Sequence, residues 1–107
     1  KLRGRSSFQS PAYNAVKMIE AAMGGEKFTL PAGCYVNCDK CGFKNVMMAM
    51  PTTIDKTGVH FVEPTGTEEE MASLAKSYEH LCKMRDEIVE LGIVPAVEKW
   101  NELNPNL

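Results

Sequence analysis

The run Thr67-Glu68-Glu69-Glu70 constrains this chain more than any other, because it opens a long helix and fixes where that helix begins. A threonine followed three positions later by glutamate is a capping box, in which each side chain bonds the backbone N–H of the other residue. Met71, Leu74, Tyr78, Leu81 and Ile88 then fall on one face, and Gly92 stops the run. Glu68 to Leu91 at the standard rise spans about 36 Å. A one-faced helix of that length needs a broad apolar surface to lie on, and the residues before it must build one. The three glutamates also complement the positive end of the helix dipole, so they are read as structural rather than as a cation site.

Strand signals precede the helix. Phe28 to Val36 shows mixed faces, and Phe43 to Met50 is apolar, with Asn37 to Gly42 closing an antiparallel hairpin between them. Ile54 to Val59 reads as a polar turn, leading to a third strand, Val59 to Glu63. Met47, Met48 and Met50 alternate through the second strand as core filler. At the front, Ser10-Pro11 reads as an N-cap followed by proline at the first helical position. Ala12, Ala15, Val16, Ile19, Ala22 and Met23 follow at helical spacing until Gly24-Gly25, predicting a helix over 11–24. Pro95 restarts a short helix carrying Val97 and Trp100. The expected fold is therefore α+β: an N-terminal helix, a three-stranded antiparallel sheet, a long helix and a short terminal helix.

With 107 residues there is room for one domain and a modest core. Twelve basic and 14 acidic side chains nearly balance, and no basic patch with interleaved aromatics argues for nucleic acid. The longest uncharged run is too short to span a bilayer. Lys1 leads at once into structured-looking sequence, without an initiator Met or a signal-peptide pattern, so a piece of a longer polypeptide is expected. Four cysteines with no evident disulfide framework point to a reducing compartment such as the cytoplasm, although an even count also permits two bridges.

Chemistry-bearing motifs are few. Phosphate-cradling glycine loops, a nucleophile elbow and H-E-x-x-H are all missing. His60 and His80 each read as edge residues of a packed surface, since neither has a carboxylate placed by local spacing to orient its ring. The segment "CYVNCDKCG" offers half a zinc motif. Cys38 and Cys41 are spaced to supply two ligands and Cys34 a third, with Cys82, His60 or His80 needed to complete a tetrahedron. A second C-x2-C or an H-x3-H is lacking.

The opening "KLRGRSSFQSPAYNAVKMI" resembles the segment of the lactate/malate dehydrogenase family that carries a lysine-leucine-basic-glycine lead and a hydroxyl pair before a helix. "VMMAMPTTIDKTGVHFVE" is similar to that family's antiparallel strand pair, and "TEEEMASLAKSYEHLCKMRDEI" to its C-terminal helix. Their order covers residues 1 to about 90, and bacterial malate dehydrogenases are the nearest in pattern. The resemblance implies a single partial domain over 1–107, the last portion of a substrate domain whose NAD-binding Rossmann domain lies earlier. It implies an NAD-dependent parent that acts on a small 2-oxo or 2-hydroxy acid and assembles as a dimer or tetramer. The glycine-rich loop, substrate-reading arginine, orienting aspartate and catalytic histidine would all precede this chain, so neither His60 nor His80 inherits that role and the chain alone would be inactive. Ser6 falls where the family places a small hydroxyl lining the substrate pocket, and Ser10 and Pro11 would lie near the nicotinamide. The structural alternative is that Ser6 and Ser7 only lead into the helix. Two departures stand out: the "CDKC" loop, which is either a lineage-specific hairpin or the clip of a free-standing zinc-bound α+β module, and the extension after Gly92. Trp100 is expected to pack that extension onto the domain or a neighbouring subunit.

Overall fold

The computed structural model describes residues 8–107. The elements run α1 (Gln9–Ala22), β1 (Ala32–Cys38), β2 (Phe43–Met50), β3 (Thr52–Asp55), β4 (Gly58–Phe61) and α2 (Glu68–Glu90). A 3-10 turn (Val97–Lys99) and a short helix α3 (Trp100–Leu103) follow. The α+β class and the order of elements are as expected, but the strands number four and form two antiparallel pairs, β1–β2 and β3–β4.

Two prolines account for that difference. Pro31 has no amide to donate, so Phe28 stands outside β1 and bridges Ile54 through reciprocal backbone bonds of 3.1 and 2.9 Å. Pro51 breaks the run after Met50, so the chain leaves the β2 ladder and starts a separate hairpin. The stretch read as a polar turn is thus the end of β3, a tight turn and the start of β4, with Thr53 opposite His60 and Asp55 opposite Gly58.

The main core lies between the first hairpin and α2. Cys34, Val36, Phe43, Val46, Met48 and Met50 are buried together, and Leu74, Tyr78, Leu81 and Cys82 of α2 pack against them. Each fully buried aliphatic or methionine side chain contributes on the order of 1.5–3 kcal/mol relative to exposure. One extra residue in β2 keeps this face continuous. Val36 pairs with Val46 but Cys38 pairs with Phe43, so Asn37 faces both Lys44 and Asn45, a β-bulge. Asn45 takes a left-handed φ of 55° there. Its Oδ1 accepts the Tyr35 hydroxyl at 2.6 Å, while Arg85 Nη1 of α2 donates to the Asn45 and Lys44 carbonyls at 3.1 and 3.3 Å. Without the bulge, Phe43 would turn to the other face.

The ends of α2 follow from sequence chemistry. Glu70 N–H donates to Thr67 Oγ1 at 3.2 Å and Thr67 N–H to Glu70 Oε2 at 2.8 Å, completing the capping box. At the far end Gly92, with φ 71°, lets its own N–H reach the Val89 carbonyl and that of Ile93 reach Ile88. This pair of bonds is the Schellman arrangement. Beyond it, Trp100 Nε1 donates to the Pro95 carbonyl at 2.8 Å, and its ring lies 6.3 Å from that of Tyr35. The extension is thereby folded back on the first hairpin.

α1 begins at Gln9, so Ser10 is not its cap; Phe8 holds that position without a side-chain cap bond. Pro11 sits third in the helix, where its missing N–H still costs no intrahelical bond. Only Ala21 of α1 is buried, in a small cluster with Phe28 and Ile54. At 100° per residue, Ala12, Val16, Ile19 and Met23 lie on the opposite side of the helix, and all four are exposed.

Candidate functional site

Ser6 lies outside the described residues. Ser10 and Pro11 occupy the first turn of α1, and both are exposed. Ser10 lines an open hollow of about 370 Å³ with Gln9, Tyr13 and Asn14. The turn carries no acidic residue and no side-chain cap. Its leading amides have no intrahelical acceptor, and the helix dipole favours negative charge at this end. A hydroxyl beside such amides suits a carboxylate or a carboxamide oxygen.

The cysteines divide into two settings. Cys34 is buried, and its thiol points at the Met48 carbonyl at 3.7 Å. Cys38 and Cys41 flank the tip of the first hairpin, where Cys41 N–H donates to Cys38 Sγ at 3.2 Å. Four strand steps separate Cys34 from Cys38, roughly 13 Å between their Cα atoms at the usual rise, which sets Cys34 apart from the pair. Among the described residues, no three His, Cys, Asp or Glu side chains converge as metal ligands. The structure thus brings Cys38 and Cys41 together at the hairpin tip and leaves Cys34 apart on the strand.

The histidines also depart from expectation in one respect. His60 does have a carboxylate partner: its Nε2 lies 3.7 Å from Asp55 Oδ1 and 2.9 Å from Thr57 Oγ1. The β3–β4 turn folds residues five apart onto one another, which linear spacing does not display. Asp55 also accepts Thr57 N–H at 2.8 Å and the Thr57 hydroxyl, and these bonds hold its carboxyl below the ordinary range. The group is exposed, however, and among the described residues neither histidine lines any of the four main hollows. It is a turn-stabilising network.

One apolar hollow went unnoticed in the sequence. Tyr35, Met47, Leu81, Met84, Ile88 and Trp100 wall a space of about 320 Å³ between the outer face of the first hairpin, α2 and the terminal extension. Ile88 lies on the apolar face of α2 expected from the sequence, but Met47, expected as core filler, is exposed and lines this hollow instead.

The sequence matches the lactate/malate dehydrogenase, alpha/beta C-terminal domain over residues 1–91. The chain belongs to the lactate/malate dehydrogenase family. It is similar to the malate dehydrogenase of Geobacillus kaustophilus, 35% identical over 75 residues that make up 69% of this chain and 24% of that protein. The malate dehydrogenase of Anoxybacillus flavithermus is 33% identical over the same share of each chain, 69% and 24%. That of Pelagibacter ubique is 36% identical over 64 residues, 60% of this chain and 20% of the relative. The aligned segment thus spans about a quarter of the length of the curated relatives it matches. Within the family's C-terminal domain, α1 through α2 fall inside the match, and the Trp100 extension lies beyond it.

Proposed function

We propose that this chain is the closing part of the substrate domain of an NAD-dependent malate dehydrogenase. The whole enzyme interconverts malate and oxaloacetate, with the nicotinamide, when bound, carrying the hydride. Proton transfer and the arginine clamp on the substrate carboxylate come from residues that precede this chain. What the chain adds is one wall of the pocket. Ser6 donates its hydroxyl to substrate or carboxamide, and the first turn of α1, with Ser10 and Pro11, lies against the nicotinamide side.

The observation that carries this reading is the family match together with the outward apolar stripe of α1. A helix whose Ala12, Val16, Ile19 and Met23 face away from its own core is built to be covered. The Rossmann domain and a second subunit of a dimer or tetramer are the partners that reading supplies. Four free thiols suit a cytoplasmic setting. The alternative, a free-standing zinc-clipped module, has two sulfurs at the hairpin tip and needs two further donors from elsewhere.

The test joins this chain to the preceding part of its parent, in cis or in trans, and follows NADH oxidation by oxaloacetate. Activity that appears only in the joined protein supports the reading. A full-length parent that binds no NADH, read as an unchanged nicotinamide emission, and turns over no 2-oxo acid would refute it. In the active parent, Ser6→Ala should raise KM for oxaloacetate several-fold with the fold unchanged by circular dichroism.

A further inference from the structure

Cys38 and Cys41 are left without a part in the dehydrogenase reading, and their geometry is specific. They stand three apart on either side of a tight turn in which Gly42 N–H bonds the Cys38 carbonyl at 3.1 Å. Gly42 takes a φ of +77°, and a Cβ there would meet open space, so the turn is set by backbone conformation rather than by packing. Residues three apart in a turn have Cα atoms within about 7 Å, which overlaps the span a disulfide bridges. The two side chains also point together, since Cys41 N–H reaches Cys38 Sγ at 3.2 Å while Cys41 Sγ faces the Cys38 carbonyl at 4.0 Å.

We propose that Cys38 and Cys41 are a reversible dithiol–disulfide pair, with Cys38 the attacking sulfur and Cys41 the resolving one, oxidised by low-molecular-weight disulfides. In the first step the Cys38 thiolate attacks one sulfur of the disulfide RSSR, forming Cys38–S–S–R and releasing RS⁻. In the second, Cys41 loses its proton and attacks Cys38 Sγ, closing Cys38–S–S–Cys41 and releasing the second RS⁻. Two protein thiols are oxidised by two electrons, and RSSR is reduced to two RSH once the two protons are taken up.

The asymmetry between the sulfurs sets the order. Hydrogen bonding from the Cys41 thiol and the Cys41 amide, with a contribution from the Lys40 amide, holds the Cys38 thiol below its ordinary range. Burial pushes the Cys41 thiol up. A nucleophile with more thiolate beside a resolving thiol with less is the usual division of labour in such pairs. The closed loop is very short, so the bond removes little chain entropy and stays easy to reduce. Lys40, between the two cysteines, bonds Glu63 after β4 at 3.0 Å, so a change in the turn reaches the connection that leads into α2.

Trypsin provides a direct readout, because it cuts after Lys27, Lys40 and Lys44. The reduced full-length polypeptide carrying this chain is exposed to glutathione disulfide, alkylated, digested and mapped by mass spectrometry. The expected result is peptide 28–40 joined to peptide 41–44 by a Cys38–Cys41 bond, formed at least about tenfold faster than any change at buried Cys34. Cys41→Ser should trap glutathione on Cys38, and Cys38→Ser should leave Cys41 unmodified on the same timescale. The proposal is overturned if Cys38 and Cys41 react no faster than Cys34, or if Cys41 is the sulfur first modified. It is equally overturned if zinc, added at about half an ion per chain, shields both thiols from glutathione disulfide, since a metal shared between two copies would then hold them.

Discussion

Consider the triple variant Val16→Thr, Ile19→Gln and Met23→Gln, placed in this chain alone and in its full-length parent. The wild-type side chains are 51%, 63% and 83% exposed, so together they leave about two side chains' worth of apolar surface uncovered. Covering that surface is worth about 3–6 kcal/mol at 1.5–3 kcal/mol per buried side chain. Since each 1.4 kcal/mol is a factor of ten, the stripe carries roughly 10²–10⁴ in docking affinity. The replacements keep shape or helix propensity and remove only apolarity, so in the lone chain they should move stability by no more than about 0.5 kcal/mol. In the parent the same replacements should cost about 3–6 kcal/mol, read as a lower denaturant midpoint at constant slope. An equal loss in both proteins would mean that the stripe already packs inside the chain. No loss in the parent would mean that nothing covers it. Either result refutes the argument that α1 faces a partner.

Two further outcomes test the fold. Thr67→Ala should destabilise the chain by about 0.5–2 kcal/mol through loss of the cap, measured by thermal or urea unfolding. The Glu70 carboxyl is held below its ordinary value by the Thr67 amide and hydroxyl, so its contribution is complete above the ordinary glutamate pKa of the unfolded chain and fades as pH falls through the lower folded value. Glu70→Gln should accordingly flatten the acid limb of stability against pH, and an unchanged limb would show that the box is not formed in solution. Met50→Ala should cost about 2–5 kcal/mol because the side chain is 1% exposed, whereas Met47→Ala, on the outer face, should stay within about 0.5 kcal/mol. Similar denaturant midpoints for the two would contradict the register of β2.

The parts legible from residues alone were those whose determinants are local. α2 declared its start through Thr67 and Glu70 and its stop through Gly92, and β2 declared itself by alternation from Phe43 to Met50. The β3 strand was missed because it is four residues long and its inward positions are Thr52 and Ile54, a polar and an apolar side chain that do not read as a repeating face. Thr52 is buried all the same, with its hydroxyl satisfied by the Met50 carbonyl at 2.8 Å. The Asp55–His60 contact needed the turn between them before it existed. The start of α1 was misplaced by two residues because proline is tolerated anywhere in a first turn, so Ser10-Pro11 does not mark a unique cap. The apolar stripe of α1 was plain in the pattern, but which side of the helix this chain itself covers depends on the Phe28–Ile54 bridge, a contact 26 residues apart in sequence. Of the candidate site, Ser10 and Pro11 lie exposed in the first turn of α1, and Cys34 is separated from the hairpin pair because a strand runs between them.

The bulge at Asn45 has a consequence for how this hairpin can vary among relatives. Because the odd residue is absorbed in β2 and clamped by Arg85, the register of the ladder below is held independently of the length of the tip from Asp39 to Gly42. Loops of other lengths or compositions can be spliced there without reversing which side chains reach the core. The hairpin tip is therefore the place where a lineage can try new chemistry at little risk to the fold that carries it, and where an engineer could graft a reporter or binding loop with the same safety.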